Sequence, residues 1–352
     1  MRHPSRCVAI LLATLFVAQA TFAQSDNQPF SRRNPVVEAV NKTKSSIVCV
    51  RITRQSGVKE TAGTGVIIDE RGLVITNNHV VGKNRSVIIR MHDGVELSGD
   101  VIIAEARYDL AVVRIRSANK LTSLPLAPVA DLMVGETVIA IGHPFGYTNT
   151  VSTGIISALG REITLPSGDV LKSLIQTNAA INPGNSGGPL LNINGEFIGV
   201  NVALREGAQG IAFAINAATV KHFLNQNLNA QKIAGVQHGL EIQEKIIAET
   251  GDRARLVVDS PLGVLESGDE IVMVGNVAVR NTFDLERSMW ERKPGDTVEL
   301  KVVRQGTELK VALTLAAGQG AGTVASGSQA HPDAVPTRTT TTYVSVPTAD
   351  RR

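Results

Sequence analysis

Disulfides, aromatic platforms and long internal apolar runs are what this sequence has least of. Two cysteines occur in 352 residues, Cys7 and Cys49, and Cys7 falls in a leader-like segment. A chain that keeps Cys49 alone cannot close an internal disulfide, which excludes a small scaffold stapled by bridges. Cys49 sits in the run Ile47-Val48-Cys49-Val50 and reads as a small buried hydrophobe; a catalytic thiol needs a low-pKa, partly exposed setting. Aromatic residues make up 3% of the chain, too few for the stacking surfaces that hold single-stranded nucleic acid. The formal net charge is +3, and Arg2 and Arg6 lie in the leader. The remainder is close to neutral and offers no field for a polyanionic partner, so no nucleic-acid partner is expected.

Residues 1–23 read as a signal peptide. Arg2 and Arg6 form a positive n-region, residues 8–18 are apolar apart from Thr14, and small residues place cleavage after Ala23 or Ala20. The apolar run falls short of the roughly 20 residues that span a bilayer, so retention as an anchor is the alternative reading. Export to the periplasm or another extracytoplasmic space is the expectation. Residues 24–34 then form an N-terminal linker.

A chain 43% hydrophobic and 19% charged is globular in composition, and its length suggests two domains with tails. Asn34-Pro35 opens a short capped helix. Short apolar or β-branched runs follow at 47–53, 65–68, 73–76, 87–91, 101–104, 110–115, 137–141, 150–157, 171–177, 197–203 and 211–215. With almost no helical period between them, these predict a mostly β barrel or sandwich. Asn216 caps a helix that closes this first unit, residues 35–228. A second unit, residues 229–317, carries strands around Leu240 and at 254–258, 270–274, 297–303 and 308–315. Its helix is expected over 281–292, stopped by Pro294-Gly295. Residues 318–352 are rich in Gly, Ala, Ser, Thr and Pro and cannot bury enough surface to offset their ordering entropy, which predicts a disordered tail.

Three motifs carry chemistry, in this order: Thr76-Asn77-Asn78-His79-Val80-Val81, Asp109-Leu110-Ala111-Val112-Val113 and Gly184-Asn185-Ser186-Gly187-Gly188-Pro189. A serine hydroxyl does not ionise alone near neutral pH, so an imidazole must take its proton and a buried carboxylate must orient that imidazole. Ser186, His79 and Asp109 are the residue types for those three roles. The amides of Gly184 and Ser186, in a turn of small residues, are the candidate oxyanion hole. Taken singly, each residue has a structural explanation; the combination in one all-β segment points to acyl transfer. The order His, Asp, Ser also separates this chain from α/β-hydrolases, whose Asp and His follow the Ser within a βα rhythm.

These motifs, with residues 177–189 and 211–215, resemble the HtrA/Deg family of trypsin-like serine proteases over roughly residues 35–315. The resemblance implies two six-stranded β-barrels with the triad in the cleft between them. His79 and Asp109 would come from the first barrel and Ser186 from the second. The second unit resembles a PDZ domain, an α+β fold, with Gly239-Leu240-Glu241-Ile242 as its carboxylate-binding loop for peptide C-termini. The resemblance further implies a homo-oligomer built on trimers.

This sequence departs from the family pattern in places. Asn178 replaces a usual Asp, and His143, expected to be a loop residue, replaces a usual Asn. The turn from Ser260-Pro261 to Gly268-Asp269 is shorter than is common and lacks its Ala-Gly pair. Ala180, Ile181 and Leu204 are the candidate S1 wall; all are apolar, which favours small or medium aliphatic residues at the cut, with Arg205 as a possible intruder. Such a pocket discriminates by only about 1–3 kcal/mol per methylene. No cofactor or metal is expected. The expected activity is ATP-independent endopeptidase degradation of unfolded or mislocalised proteins. The alternatives are a regulatory protease that senses peptide C-termini and an inactive chaperone or binding protein.

Overall fold

The computed structural model describes residues 32–53, 59–127, 132–143, 150–165, 168–202, 210–247 and 252–318. The expected leader, the segment with Leu204 and Arg205, and the expected tail lie outside the described residues.

Helix α1 (Pro35–Thr43) opens as its sequence dictates: Val37 N–H donates to the Asn34 side chain at 2.9 Å, with Pro at the first helical position. Strands β1 (Ile47–Thr53), β2 (Lys59–Asp69), β3 (Leu73–Thr76), β4 (Ser86–Arg90), β5 (Glu96–Glu105) and β6 (Leu110–Ile115) close into an antiparallel barrel in the order β1-β2-β3-β6-β5-β4. A second closed barrel, β10-β11-β12-β9-β8-β7, is built from β7 (Thr137–Gly142), β8 (Thr150–Thr164), β9 (Val170–Thr177), β10 (Pro189–Asn192), β11 (Phe197–Val202) and β12 (Ala212–Asn216).

Many strands are apolar on both faces, and the packing explains why. Val48, Val50, Ile67, Val74 and Val113 fill the first barrel. Their neighbours Ile47, Val66, Ile75 and Val112 point the other way and join Ile139, Ile141, Leu191 and Phe197 in a core shared by the two barrels. Successive strand residues face opposite sides, so a strand buried on both becomes a continuous apolar run. Cys49 is 4% exposed within β1, and burial pushes its thiol up, which makes it a packing residue.

Helix α2 (Asn78–Val81) is a single turn after β3; α3 (Ala217–Asn227), capped by the Asn216 side chain on Ala218 N–H at 2.8 Å, seals the second barrel. After α4 (Ala230–Ala234) the second unit forms a sheet ordered β14-β15-β16-β18-β19, from β14 (Ile242–Ile247), β15 (Asp252–Val258), β16 (Glu270–Val274), β18 (Thr297–Arg304) and β19 (Thr307–Thr314). The short β17 (Val277–Ala278) pairs with β16, and β13 (Val236–Gln237) pairs with β20 (Ala316–Ala317). Its helix α5 (Thr282–Ser288) lies within the expected 281–292, with Asn281 as its cap, but ends before 292. Met289, Trp290 and Arg292 instead donate to carbonyls three residues back, which tightens the chain into turns. Near Leu240 the strand starts only at Ile242, and β10, immediately after the glycine-rich turn, is a strand the sequence pattern did not announce.

The two units are packed against each other. Phe283 of α5 is 2% exposed in the core that holds both barrels, with Trp290 against it. Asp69 at the end of β2 receives two hydrogen bonds from the Arg71 guanidinium (2.8 and 3.0 Å), one from the Arg71 backbone N–H (2.9 Å) and one from Arg287 (3.1 Å). The Arg71 guanidinium lies 4.6 Å from the centre of the Trp290 ring.

Candidate active site

Asp109 sits at the end of a turn between β5 and β6 in the left-handed region (φ 50°, ψ 39°). A non-glycine residue there carries strain that its surroundings must hold. They do: Asn78 N–H (3.1 Å) and the Asn77 side-chain amide (2.9 Å) both donate to the Asp109 carbonyl. The carboxylate, 2% exposed, turns toward α2. Oδ1 accepts the His79 backbone N–H at 3.0 Å and Oδ2 lies 2.7 Å from His79 Nδ1. An acceptor-only carboxylate on Nδ1 assigns the proton to that nitrogen and leaves Nε2 as the free base. The His79 side chain is 46% exposed. It therefore stands on the cleft surface, held from beneath.

Ser186 lies on the turn that leads into β10, with 4% exposure. Its carbonyl accepts Thr64 N–H from β2 at 2.8 Å, which ties the turn of the second barrel to the first. The fit is close enough to require glycine. A Cβ on Gly187 (φ +82°) would meet the Thr64 carbonyl at 2.1 Å and Thr76 Oγ1 at 2.2 Å; one on Gly63 would meet both Val80 and the Ser186 carbonyl within 3 Å. Val80 follows His79, so Gly63 brings α2 and the Ser186 turn to one spot.

Thr64 braces the candidate site in a way that local pattern did not reveal. Its hydroxyl donates to the Gly184 carbonyl at 2.6 Å and accepts His143 N–H at 2.9 Å. It anchors the peptide next to the candidate oxyanion donor across 120 residues of sequence. The only available signal was its setting between Gly63 and Gly65. His143 lies just past the end of β7, outside any strand or helix, yet it is 2% exposed, and its buried Nδ1 has no hydrogen-bond partner among the described residues. Burial, with Arg90 and His92 adding repulsion, lowers its imidazole to about 4.

The family model described as a trypsin-like peptidase domain matches residues 63–200, and that described as a PDZ domain matches residues 254–315. A protein named probable periplasmic serine endoprotease DegP-like from Ectopseudomonas mendocina is 38% identical over 271 residues, covering 73% of this chain and 56% of that protein. Its counterpart in Bartonella henselae is 35% identical over 268 residues, covering 72% and 52%. The chloroplastic protease Do-like 1 of Arabidopsis thaliana is 34% identical over 281 residues, covering 73% and 64%. The chain thus spans about half to two thirds of these relatives' length. A solved structure of the HtrA-type protease AlgW with a tripeptide is 28% identical, with a TM-score of 0.50, and covers 80% of this chain and 96% of that one.

The chain belongs to the HtrA/Deg family of serine proteases.

Other family positions are placed as follows. The Ala180 carbonyl accepts from Ser152 Oγ (2.7 Å) and the Asn185 side chain (3.4 Å), which braces the segment before Ser186. Ile181 packs on the core of the second barrel, whereas Leu204, the third S1 candidate, lies outside the described residues. Asn178, in place of the usual Asp, accepts Ile155 N–H at 2.7 Å through Oδ1. In the PDZ domain, Gly239-Leu240-Glu241-Ile242 leads into edge strand β14. The shortened turn closes with reciprocal bonds between Leu262 and Leu265 (3.2 and 3.0 Å) and with Arg304 clamped on Asp269 at 2.7 and 2.8 Å.

Proposed function

We propose that this chain is a serine endopeptidase, with Ser186 as nucleophile, His79 as general base and Asp109 as the orienting carboxylate. The carrying observation is the two-point bond from Asp109 to His79, ring and main chain, with the carboxylate buried and the ring at the surface. In this mechanism Ser186 Oγ attacks the peptide carbonyl while His79 Nε2 takes its proton. The imidazolium is stabilised by Asp109 and returns the proton to the leaving amine; water then repeats the cycle on the acyl-enzyme. The amides of Gly184 and Ser186 receive the developing oxyanion, and each such donor is worth roughly a hundredfold to a thousandfold in rate. No cofactor enters any step.

The relatives' names support a periplasmic or extracytoplasmic site of action. The proposed layout is a signal peptide at 1–23, a linker at 24–34, a protease domain at 35–228, a PDZ domain at 229–317 and a tail from 318. The proposed substrates are unfolded or mislocalised proteins, cut ATP-independently after small or medium aliphatic residues at the Ala180, Ile181 and Leu204 wall by a trimer-based homo-oligomer. Peptide C-termini are the proposed ligands of the PDZ domain. A regulatory, site-specific protease is the second reading, favoured by the burial of Phe283 and the Asp69–Arg287 pair between the PDZ helix and the barrels.

Fluorophosphonate labelling followed by peptide mapping tests the mechanism. Label is expected on Ser186 alone, and Ser186→Ala is expected to lose all cleavage of denatured casein while melting close to wild type. Label on another serine, or cleavage by the variant, would overturn the assignment.

A further inference from the structure

The segment Gln237-His238-Gly239-Leu240-Glu241-Ile242 contains a hydrogen bond that the PDZ reading alone does not call for. Strand β14 is an edge of its sheet. Asp259 N–H donates to the Glu241 carbonyl at 2.8 Å, and Ile242 is paired with Val258. That pattern makes Ile242 and Val258 a non-hydrogen-bonded pair, so the Ile242 N–H faces away from β15, along the open edge. A peptide terminus adding to this edge would present its carboxylate to the amides of Leu240, Glu241 and Ile242. One of these amides is already engaged. Leu240 N–H donates to His238 Nδ1 at 3.0 Å.

An imidazole nitrogen that accepts a hydrogen bond carries no proton, so the proton of neutral His238 resides on Nε2. Nε2 lies 3.3 Å from Glu286 Oε1 of α5, and Glu286 Oε2 accepts Ala230 N–H at 2.7 Å. The His238 side chain is 14% exposed and that of Glu286 is 19% exposed. Charged side chains on the neighbouring segments bond elsewhere: the Glu241 carboxylate with Ser260 Oγ at 2.5 Å, and Lys232 of α4 with the Gln226 carbonyl at 2.5 Å. Glu286 is thus the charge that faces the ring.

We propose that His238 is a member of the terminal-carboxylate site and takes up a proton when a peptide carboxylate binds. Neutral His238 withholds the Leu240 amide from a ligand. Protonation at Nδ1 turns that acceptor into a donor, releases Leu240 N–H and places a cation beside the loop, with Glu286 stabilising it from the opposite side. The carboxylate then gains one main-chain donor and one charge-assisted donor. By linkage, the carboxylate raises the proton affinity of His238 by the same factor that the proton raises carboxylate affinity. The free acid is distinguished from its amide most strongly at mildly acidic pH.

This proposal rests on the reading of the PDZ domain as a receptor for peptide C-termini. The test uses the full chain carrying Ser186→Ala, to prevent cleavage. The probes are a fluorescein-labelled hexapeptide ending in Ala-Leu-Val with a free carboxylate and the same peptide as its C-terminal amide. Affinity for the acid is expected to rise about tenfold or more between about pH 8 and about pH 5, the range in which imidazoles change charge. Affinity for the amide should stay weak and flat. His238→Gln, which keeps a neutral acceptor for Leu240 N–H, is expected to bind the acid with a flat profile. Calorimetry in two buffers of different ionisation enthalpy gives a check that needs no His238 variant: net proton uptake on binding near neutral pH is expected. Preferential acid binding with no uptake and no pH dependence, or the same dependence in His238→Gln, would refute the role of His238 and leave the receptor standing. Equal or absent binding of both peptides at every pH would remove the carboxylate site itself, and the proposal with it.

Discussion

His143 shows how one residue next to a reactive centre can cost stability. Its backbone N–H helps position Thr64, while its ring is buried with no hydrogen-bond partner for Nδ1 among the described residues. With the folded value lowered to about 4, against about 6.5 unfolded, acid protonates the unfolded chain first. Stability is therefore lost as pH falls from about 6.5 to about 4, by about 3 kcal/mol, and then levels for this group. His143→Asn keeps the backbone bond and removes that titration. Urea midpoints measured across this range should fall less steeply in the variant than in the parent; parallel curves would show that His143 takes up a proton while folded. The same scale explains Asp109. Its left-handed backbone is affordable because Asn77 and Asn78 hold its carbonyl, which frees both carboxylate oxygens for His79.

Among the elements, α3 and β14 meet through a buried pair, Lys221 and Glu244, with side chains 4% and 7% exposed. Burial pushes the Lys221 ammonium down despite the attraction of Glu244. Glu244 also accepts from Thr282 N–H (2.9 Å) and Thr282 Oγ1 (3.0 Å) at the start of α5. One side chain thus joins the helix that closes the protease barrel, the edge strand and the PDZ helix. Removing one partner of such a pair typically costs about 3–5 kcal/mol, because the other charge remains buried. Lys221→Met is expected to lose about that much, and Lys221→Met/Glu244→Gln, which retains an acceptor for Thr282, to regain more than half. A single-variant loss below about 1 kcal/mol in urea denaturation would mean that water solvates the pair as it does at a surface.

At the scale of the whole molecule, Asp69, Arg71, Arg287 and Trp290 hold the PDZ domain against the first barrel. Burial raises the Asp69 carboxyl, but hydrogen bonds from Arg71 and Arg287 outweigh it and leave the group below the usual carboxylate range. A depressed carboxylate contributes stability above its unfolded value of about 3.9, lost only as pH falls through the lower folded value. Docking should therefore persist throughout the mildly acidic range of the peptide-binding test. Trp290 is the single tryptophan; its indole N–H donates to the Leu228 carbonyl at 2.9 Å and its ring lies under Arg71. Asp69→Asn leaves two arginines without their common counter-charge. It is expected to shift Trp290 emission to the red and to destabilise the chain by about 3 kcal/mol. Unchanged emission and melting would mean that packing around Phe283 alone holds the domains together.

Much of this was legible in the linear chain. Strands β1, β3 and β6 begin and end where their apolar or β-branched runs do, because most of their residues are buried on both faces and few polar residues interrupt the run. The caps Asn34 and Asn216 were readable because a cap is a contact over three residues or fewer. The candidate nucleophile, base and carboxylate were named from motif and order alone. What the tertiary structure decided was everything that joins distant segments. Thr64 reaching Gly184, Asp69 reaching Arg287 and Glu244 reaching Lys221 depend on barrel closure and domain docking, which leave no periodic trace. Strand β10 was hidden because it is short, begins at Pro189 and follows a glycine-rich turn; it exists because β7 and β11 pair with it on either side. Periodicity and capping record local burial, whereas a site assembled between two barrels is recorded only in the space where they meet.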